Sequence, residues 1–263
     1  MGISGTRDVL RVADQGRVRV ATLDRPQALN AFNDDLYDAV RDMLVDAAAR
    51  TDIAVVVLTG AGRAFSAGQD LHPGAAHAVD GEPHGFGPFM DALDTFPKPL
   101  VAAVNGLGVG IGLTLLLHCD VVLIARGARL RAPFLALGLT AEASSTFLLP
   151  ERIGWQDAAH LLYTAEWLEA DRAVEMGLAW RVCEPERLLD ETLGIARAIA
   201  RQPIESLMET KRLLLAARHE QVRAARVREN AAFGRLSGGP ANREAVAAFR
   251  EKRQPDFTGL TGA

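Results

Sequence analysis

Residues 99–119 read PLVAAVNGLGVGIGLTLLLHC, a run of 21 residues without Asp, Glu, Lys or Arg. A run of this length is long enough to cross a bilayer as a helix. Glycine occupies every second position from Gly106 to Gly112, however, and glycine disfavours a helix interior. The stretch therefore predicts a buried strand over 100–104, a glycine-rich turn and a buried helix near 110–118, with no membrane span.

A second unit of the same kind precedes this one. Residues 53–59 are a continuous and mostly β-branched apolar run, which is typical of a buried strand, and residues 65–71 then read FSAGQDL. Backbone N–H groups at the start of a helix are unpaired, so two such turns facing each other could hold a developing oxyanion. Two tight strand-to-helix turns with a purely structural role fit the spacing equally well.

The rest of the chain completes an α/β pattern. Its predicted elements are a hairpin over 9–12 and 17–23, a helix capped by Asn33, a long loop over 71–88, a third buried strand over 121–125 and helices from about Glu142 to the end. Gln202-Pro203 is the clearest boundary. We expect a core over residues 1–202 and a C-terminal helical segment over 203–263.

Composition indicates an ordinary globular protein. The chain has 263 residues, of which 49% are hydrophobic and 24% charged, so global disorder is excluded and one large domain with an appendage is expected. Cys119 and Cys183 are too few for a disulfide framework. We expect a reducing, cytoplasmic location.

Charge is uneven along the chain. The net charge is −4, but residues 197–253 hold thirteen Lys and Arg against six Asp and Glu. A solvated helical surface explains this surplus, and so does a basic rim for an anionic ligand. Nucleic acid is a weaker choice because the isoelectric point is near 5.9 and no mixed aromatic and basic motif is present.

Several common site motifs are excluded. The glycine-rich turn lacks the third glycine of a dinucleotide fingerprint, no phosphate-binding P-loop is present, and Ser66 does not lie in a nucleophile elbow. His72, His77 and His84 have no partner carboxylate at metal-site spacing. No metal site is predicted.

The chain resembles the crotonase (enoyl-CoA hydratase/isomerase) superfamily over about residues 18–253. The motifs that carry the resemblance are LDRP at 23–26, LNAF at 29–32, VVVLTG at 55–60, FSAGQDL at 65–71, KPLVAAVNG at 98–106, CD at 119–120, EADRAVEMGLA at 169–179 and FREKR at 249–253. The resemblance implies a spiral of ββα units with a C-terminal helical segment, an acyl-CoA thioester substrate, and a homotrimer or homohexamer. Coenzyme A would enter as part of the substrate, with no permanently bound cofactor.

The resemblance also implies roles for particular residues. Its oxyanion hole would be formed by the backbone N–H groups of Gln69 and Ile111. The coenzyme A arm would lie near Arg25, Ala28, Ala67, Gly68, Asp70, Leu71 and Gly110, with Phe249 and Lys252 contributing from the C-terminal segment of this or a neighbouring subunit.

The chain departs from the hydratase pattern at two positions. Hydration of a 2-enoyl thioester uses two glutamates around one water, and their positions here hold Thr114 and Phe134, neither of which can act as a general acid or base. Residues 137–145, LGLTAEASS, instead resemble the segment of peroxisomal-type Δ3,Δ2-enoyl-CoA isomerases that carries their single catalytic glutamate, matched here by Glu142.

We therefore expect a Δ3,Δ2-enoyl-CoA isomerase in which Glu142 is the acid and base. A carboxylate that only charges a helix N-terminus is the structural alternative for Glu142. The functional alternatives are an enoyl-CoA hydratase, a ring-opening isomerase of aromatic-derived acyl-CoA, and a non-catalytic protein that binds coenzyme A esters.

Overall fold

The N-terminal hairpin forms where the sequence predicts it. The computed structural model describes residues 9–70 and 84–260. Strands β1 (Leu10–Gln15) and β2 (Val18–Leu23) pair antiparallel, and the turn between them uses Gly16 at φ +61°. This left-handed backbone conformation is one that glycine adopts without strain.

Three strand pairs follow the hairpin and form the body of the molecule. They are β3 (Val55–Gly60) with β4 (Ala64–Ser66), β5 (Leu100–Val104) with β6 (Leu107–Val109), and β7 (Val121–Ala125) with β8 (Arg129–Arg131). The first strand of each pair joins one sheet and the second strand joins another. Each repeat therefore advances both sheets by one parallel strand, which is the spiral of repeated units that the resemblance implies.

Two further strands complete these sheets. They are β9 (Leu168–Glu169) and β10 (Arg181–Cys183), which give the orders β1-β2-β3-β5-β7-β10 and β4-β6-β8-β9. The expectation of only helices after Glu142 is wrong at these two places. Strands of two or three residues are too short to show a hydrophobic period.

Helices cover the sheets and form the C-terminal part of the described chain. Their bounds are α1 Asp34–Ala49, α2 Phe86–Asp94, α3 Ile111–Thr114, α4 Ser145–Ile153, α5 Trp155–Thr164, α6 Ala170–Glu175, α7 Leu188–Ala200, α8 Ile204–Ala216, α9 His219–Leu236 and α10 Pro240–Glu251. Asn33 caps α1 as predicted, since its side chain accepts a hydrogen bond from the N–H of Leu36 over 3.1 Å. Because α2 begins at Phe86, the predicted loop ends earlier than expected.

The glycine-rich stretch folds as strand, turn and short helix. Strand β5 is buried along its whole length. A Cβ atom on Gly106 would lie 2.1 Å from the carbonyl oxygen of Arg63, so glycine is required where β6 passes β4. No helix in residues 9–70 and 84–260 has the length and apolar character needed to cross a membrane.

Candidate active site

The two glycine turns predicted from the sequence meet in space. Gly68 and Gly110 have φ values of +95° and +54°, and a Cβ atom on Gly68 would lie 2.9 Å from the carbonyl oxygen of Val109. A Cβ atom on Gly112 would lie 2.5 Å from the carbonyl oxygen of Ser66. These contacts explain why both turns use glycine, because any side chain would push the two backbones apart.

Each turn contributes one residue with an unpaired backbone N–H, Gln69 or Ile111, to the lining of the same cavity. Ile111 is the first residue of α3, so its N–H has no acceptor within the helix. The neighbouring N–H groups are used, since Gly110 donates to the carbonyl of Arg131 and Asp70 to that of Phe32. No hydrogen bond joins the N–H of Gln69 or Ile111 to another described residue. Two unpaired donors on facing turns are what an oxyanion hole requires.

The cavity beside these turns has a volume of about 760 Å³ and a largely apolar wall. Its large apolar lining residues include Phe86, Phe134, Phe233, Leu137 and Leu139. Its size falls within the range of sites that bury a small organic ligand. Phe134, which stands at one of the two positions where a hydratase carries glutamate, lines this cavity.

Seven of the predicted catalytic and coenzyme A-binding residues line this cavity. They are Ala67, Gly68, Gln69, Gly110, Ile111, Glu142 and Phe249. Arg25, Ala28, Asp70 and Lys252 are not among the lining residues, and Leu71 lies outside the described residues, as do His72 and His77. Of the described residues predicted to bind coenzyme A, some therefore line the cavity and the others do not.

Arg25 is held by the protein itself. Its guanidinium lies 2.9 Å from a carboxylate oxygen of Asp70 and donates to the carbonyl of Ala31 over 2.5 Å. The ion pair ties the segment after β2 to the first glycine turn. Lys252 ends α10 with φ +56° and is exposed. The role of both cations in binding coenzyme A stays a prediction.

Glu142 is the carboxylate that the sequence placed in the catalytic segment, and it faces the cavity. It precedes α4, in the turn that follows the short helix at Leu135–Leu137. Its removal from bulk water, together with the negative charge of Glu229, raises the pKa of Glu142 to about 7. The residue as a whole keeps some exposure because it borders the cavity. A carboxyl group with such a pKa can both take and return a proton near neutrality.

The two positions that hydratases use for glutamate carry no acid here. Thr114 is fully buried at the end of α3, is not among the lining residues, and its Oγ1 has no hydrogen-bond partner among the described residues. Phe134 lines the cavity, but its side chain carries no acid. The structure thus agrees with the sequence that a hydratase pair is missing from these positions.

Two residues beside the candidate site were not singled out in the sequence. Glu229 of α9 lines the cavity and is buried, and Tyr37 of α1 donates a hydrogen bond to Oε1 of Gln69. Glu229 lies far along the chain from Glu142, and Tyr37 lies far from Gln69. The amphipathic helices that carry them were predicted, but nothing in the spacing marks these two side chains.

The comparisons with known proteins agree with this geometry. A spiral of ββα units, with two facing glycine turns beside an apolar cavity, defines a crotonase-fold enzyme. The chain matches the enoyl-CoA hydratase/isomerase family over residues 13–260, and it belongs to that family. Membership in this family of enzymes that act on acyl-CoA thioesters disfavours a non-catalytic binding protein.

Individual relatives and solved structures cover nearly the whole chain. It is 36% identical over 250 residues to 1,2-epoxyphenylacetyl-CoA isomerase of Escherichia coli K12, covering 92% of this chain and 95% of the relative. It is 35% identical over 251 residues to 2,3-dehydroadipyl-CoA hydratase of the same organism, covering 95% and 98%. A crystal structure of an enoyl-CoA hydratase/isomerase from Pseudoalteromonas atlantica T6c superposes with a TM-score of 0.90 at 38% identity, covering 95% of this chain and 100% of the other.

Proposed function

We propose that this enzyme moves the double bond of a 3-enoyl-CoA thioester into conjugation, with Glu142 as both base and acid. The observation that carries the proposal is the Glu142 carboxyl group, whose pKa is about 7, in an apolar cavity beside two unpaired N–H donors. An isomerase of this kind needs one carboxylate, whereas hydration needs a carboxylate pair that orients a water molecule.

The proposed reaction proceeds through a dienolate. The Glu142 carboxylate takes a proton from C2 of the substrate, and the electron pair of that C–H bond delocalises onto the thioester oxygen. The N–H groups of Gln69 and Ile111 hold the resulting oxyanion, and one such donor is typically worth about 2.7–4 kcal/mol. Protonated Glu142 then returns the proton at C4, the double bond forms between C2 and C3, and the carboxylate is restored.

The rates on matched substrates test this proposal. The wild-type protein should isomerise a 3-enoyl-CoA faster than it hydrates the 2-enoyl-CoA of equal chain length. Glu142→Gln should lower the isomerisation rate by about 10²–10⁴-fold, because it removes the general base. Glu151→Gln is the matched control, since Glu151 is exposed on α4. Faster hydration by the wild type, or half of the rate retained in Glu142→Gln, would refute the assignment.

A ring-opening isomerase acting on an aromatic acyl-CoA is the second candidate. The similarity to 1,2-epoxyphenylacetyl-CoA isomerase favours it, and so do the rings of Phe86, Phe134 and Phe233 on the cavity wall. Aromatic rings pack well against one another, so this wall suits an aryl group as well as an alkyl chain. Turnover of an epoxidised arylacetyl-CoA in preference to a straight-chain 3-enoyl-CoA would favour this candidate.

Self-association as a trimer or hexamer is also proposed. Large apolar side chains are exposed on the described chain, among them Trp155 at 72%, Tyr163 at 69% and Leu214 at 66%. A contiguous exposed apolar patch marks an interaction surface, and Trp155 and Tyr163 lie on one helix, α5. Light scattering should give three or six chain masses at micromolar concentration, and a clean monomer would reject the assembly.

A further inference from the structure

Glu229 makes three hydrogen bonds to the segment that follows Glu142. Its Oε2 accepts from the N–H of Ser144 over 2.6 Å, and its Oε1 accepts from the N–H and the Oγ1 of Thr146 over 2.8 and 2.6 Å. Glu229 is 3% exposed, and it reaches this segment from α9 in the C-terminal part of the chain. All three partners donate, so the arrangement suits an ionised carboxylate.

The segment held by Glu229 has an unusual backbone. Ala143 and Ser144 have φ values of +58° and +59°, so two successive non-glycine residues adopt the left-handed conformation. Such residues persist only where surrounding contacts hold them. The side chain of Ser144 does not cap α4, because its hydroxyl donates to the carbonyl of Val222 over 3.0 Å. Glu229 therefore supplies the cap from a distant helix.

A second set of contacts holds the same turn from the opposite side. Nε2 of His118 lies 2.9 Å from the carbonyl oxygen of Ala143, and Nδ1 lies 3.1 Å from a carboxylate oxygen of Asp94. The other oxygen of Asp94 accepts from Arg226 of α9 over 2.9 Å. Both sets of contacts lead to α9, so this helix fixes the turn directly and through His118.

Glu229 also places a negative charge beside the base. Burial raises the pKa of Glu229 above its usual value, although its bonds to Thr146 and Ser144 and the nearby His118 favour the ionised form and oppose part of that rise. Among the described residues, the titratable groups from other elements that interact with the pair are His118, which acts on Glu229, and Tyr37 of α1, whose pKa the charge of Glu142 raises. Arg131 of β8 lines the same cavity and donates a hydrogen bond to the carbonyl of Ala165. The Glu229 charge is one of the causes that keep the pKa of Glu142 high.

We infer that Glu229 is a positioning residue for the reaction: it holds the turn that presents Glu142 to the substrate and keeps a negative charge beside that base. The inference rests on the proposed function, in which Glu142 is the acid and base. Helix α9 would then position the catalytic base, in addition to any role of the C-terminal segment in binding coenzyme A.

Two substitutions test separately the negative charge of Glu229 and the length of its side chain. Glu229→Gln removes the charge and turns an amide donor toward the N–H groups of the turn, whereas Glu229→Asp keeps the charge and shortens the side chain. Infrared difference spectroscopy follows the titration of the Glu142 carboxyl group, identified by the signal that Glu142→Gln removes. Glu220→Gln is the matched control, because Glu220 is exposed at the start of the same helix.

Both substitutions have defined outcomes. In Glu229→Gln the Glu142 carboxyl should titrate at least about half a pH unit lower, because a like charge has been removed. In Glu229→Asp the titration should stay closer to the wild type while kcat falls on the order of tenfold, because the base is misplaced. Glu220→Gln should change neither quantity. An unchanged titration in Glu229→Gln, or an unchanged kcat in Glu229→Asp, overturns the inference.

Circular dichroism and the infrared titration cover the cases in which a variant does not fold or the wild type shows no turnover. If circular dichroism shows that Glu229→Gln does not fold, the kcat of Glu229→Asp decides alone. If the wild type does not isomerise 3-enoyl-CoA, the proposed function fails, whereas the infrared titration needs no turnover and still decides whether Glu229 acts on Glu142.

Discussion

The hydroxyl of Tyr37 donates a hydrogen bond to Oε1 of Gln69 over 2.7 Å, which joins helix α1 to the first glycine turn. Tyr37 is 1% exposed, and its ring packs 4.8 Å from that of Phe32. Burial, with the negative charges of Glu142 and Asp34, raises the pKa of Tyr37 well above its usual value. Tyr37 therefore stays a neutral donor that holds Gln69, a residue of the cavity lining whose N–H has no acceptor among the described residues.

Replacing Tyr37 by Phe tests whether this bond orients the turn. The ring remains packed, so the protein should fold with a loss of about 1 kcal/mol from the broken hydrogen bond. We expect kcat to fall several-fold with little change in KM, because the bond orients a donor for the oxyanion rather than binding the substrate. Thr210→Val, which removes an exposed hydroxyl on α8, should change neither value. A kcat of Tyr37→Phe equal to that of the wild type would show that Gln69 is held by other contacts.

Sequence analysis located the residues of the two turns but not those that brace them. The glycine turns and Glu142 lie in local motifs, so their residue types alone indicate their chemistry. Tyr37 and Glu229 act through contacts across 32 and 83 to 85 positions. The residues around them show only the apolar periodicity of a helix. That periodicity predicts that one helix face is buried, but not which residues this face contacts.

The long strands of the fold were predictable from the sequence, whereas the short strands and helix α2 were not. Strands β3, β5 and β7 are continuous apolar runs, and the sequence placed all three. Their partners β4, β6 and β8 have three residues each, so no period could reveal them. Helix α2 begins inside a stretch rich in glycine and proline, where composition predicted a loop. Its aromatic packing against α1, through Phe89 and Tyr37, is a tertiary contact that overrides the local signal.

The pH dependence of isomerisation should report the raised pKa of Glu142. Proton abstraction needs the carboxylate, so kcat/KM should be constant above the pKa of about 7 and fall tenfold per pH unit below it. At pH 5 the value should be roughly a hundredfold below the plateau. Rate measurements in constant-ionic-strength buffers check this. A midpoint near 4.5 would show that water reaches the carboxyl group freely.

The same raised pKa should cost stability at neutral pH. Between about pH 4.5 and 7 the folded protein binds the Glu142 proton more tightly than the unfolded chain does, so this stabilisation is lost as pH rises through 7. Glu142→Gln should thus be more stable than wild type at pH 8, by up to about 3 kcal/mol, and equal to it near pH 4.5. Urea unfolding at both pH values measures the difference. Glu151→Gln should show no such trend, and a variant less stable at pH 8 contradicts the prediction.

Binding of coenzyme A esters should depend on Lys252. This exposed cation belongs to the C-terminal surplus of basic residues, and the ligand carries phosphate charges. Arg25 is a poorer probe because its guanidinium is paired with Asp70. Lys252→Gln should weaken binding of an acyl-CoA by about 0.5–1 kcal/mol at low salt. The difference should shrink at 1 M salt, where the Debye length is about 3 Å.

Calorimetry of the wild type, Lys252→Gln and Arg201→Gln measures this effect. Arg201, exposed after α7, provides the control for a general loss of positive charge. The role of Lys252 is contradicted if the two substitutions weaken binding equally, or if the loss at Lys252 persists in high salt.

Thr114 offers a test at a position where hydratases carry glutamate. Its side chain is fully buried, its Oγ1 has no hydrogen-bond partner among the described residues, and it does not line the cavity. An unpaired buried hydroxyl costs about 1–3 kcal/mol, so Thr114→Val should raise the free energy of unfolding by about 1 kcal/mol. The isomerisation rate should stay within about twofold, because the buried hydroxyl does not line the cavity in which the substrate would bind. Urea unfolding and the 3-enoyl-CoA assay give both numbers. A tenfold loss of kcat in Thr114→Val would place this hydroxyl in the reaction and would require a catalyst other than Glu142 alone.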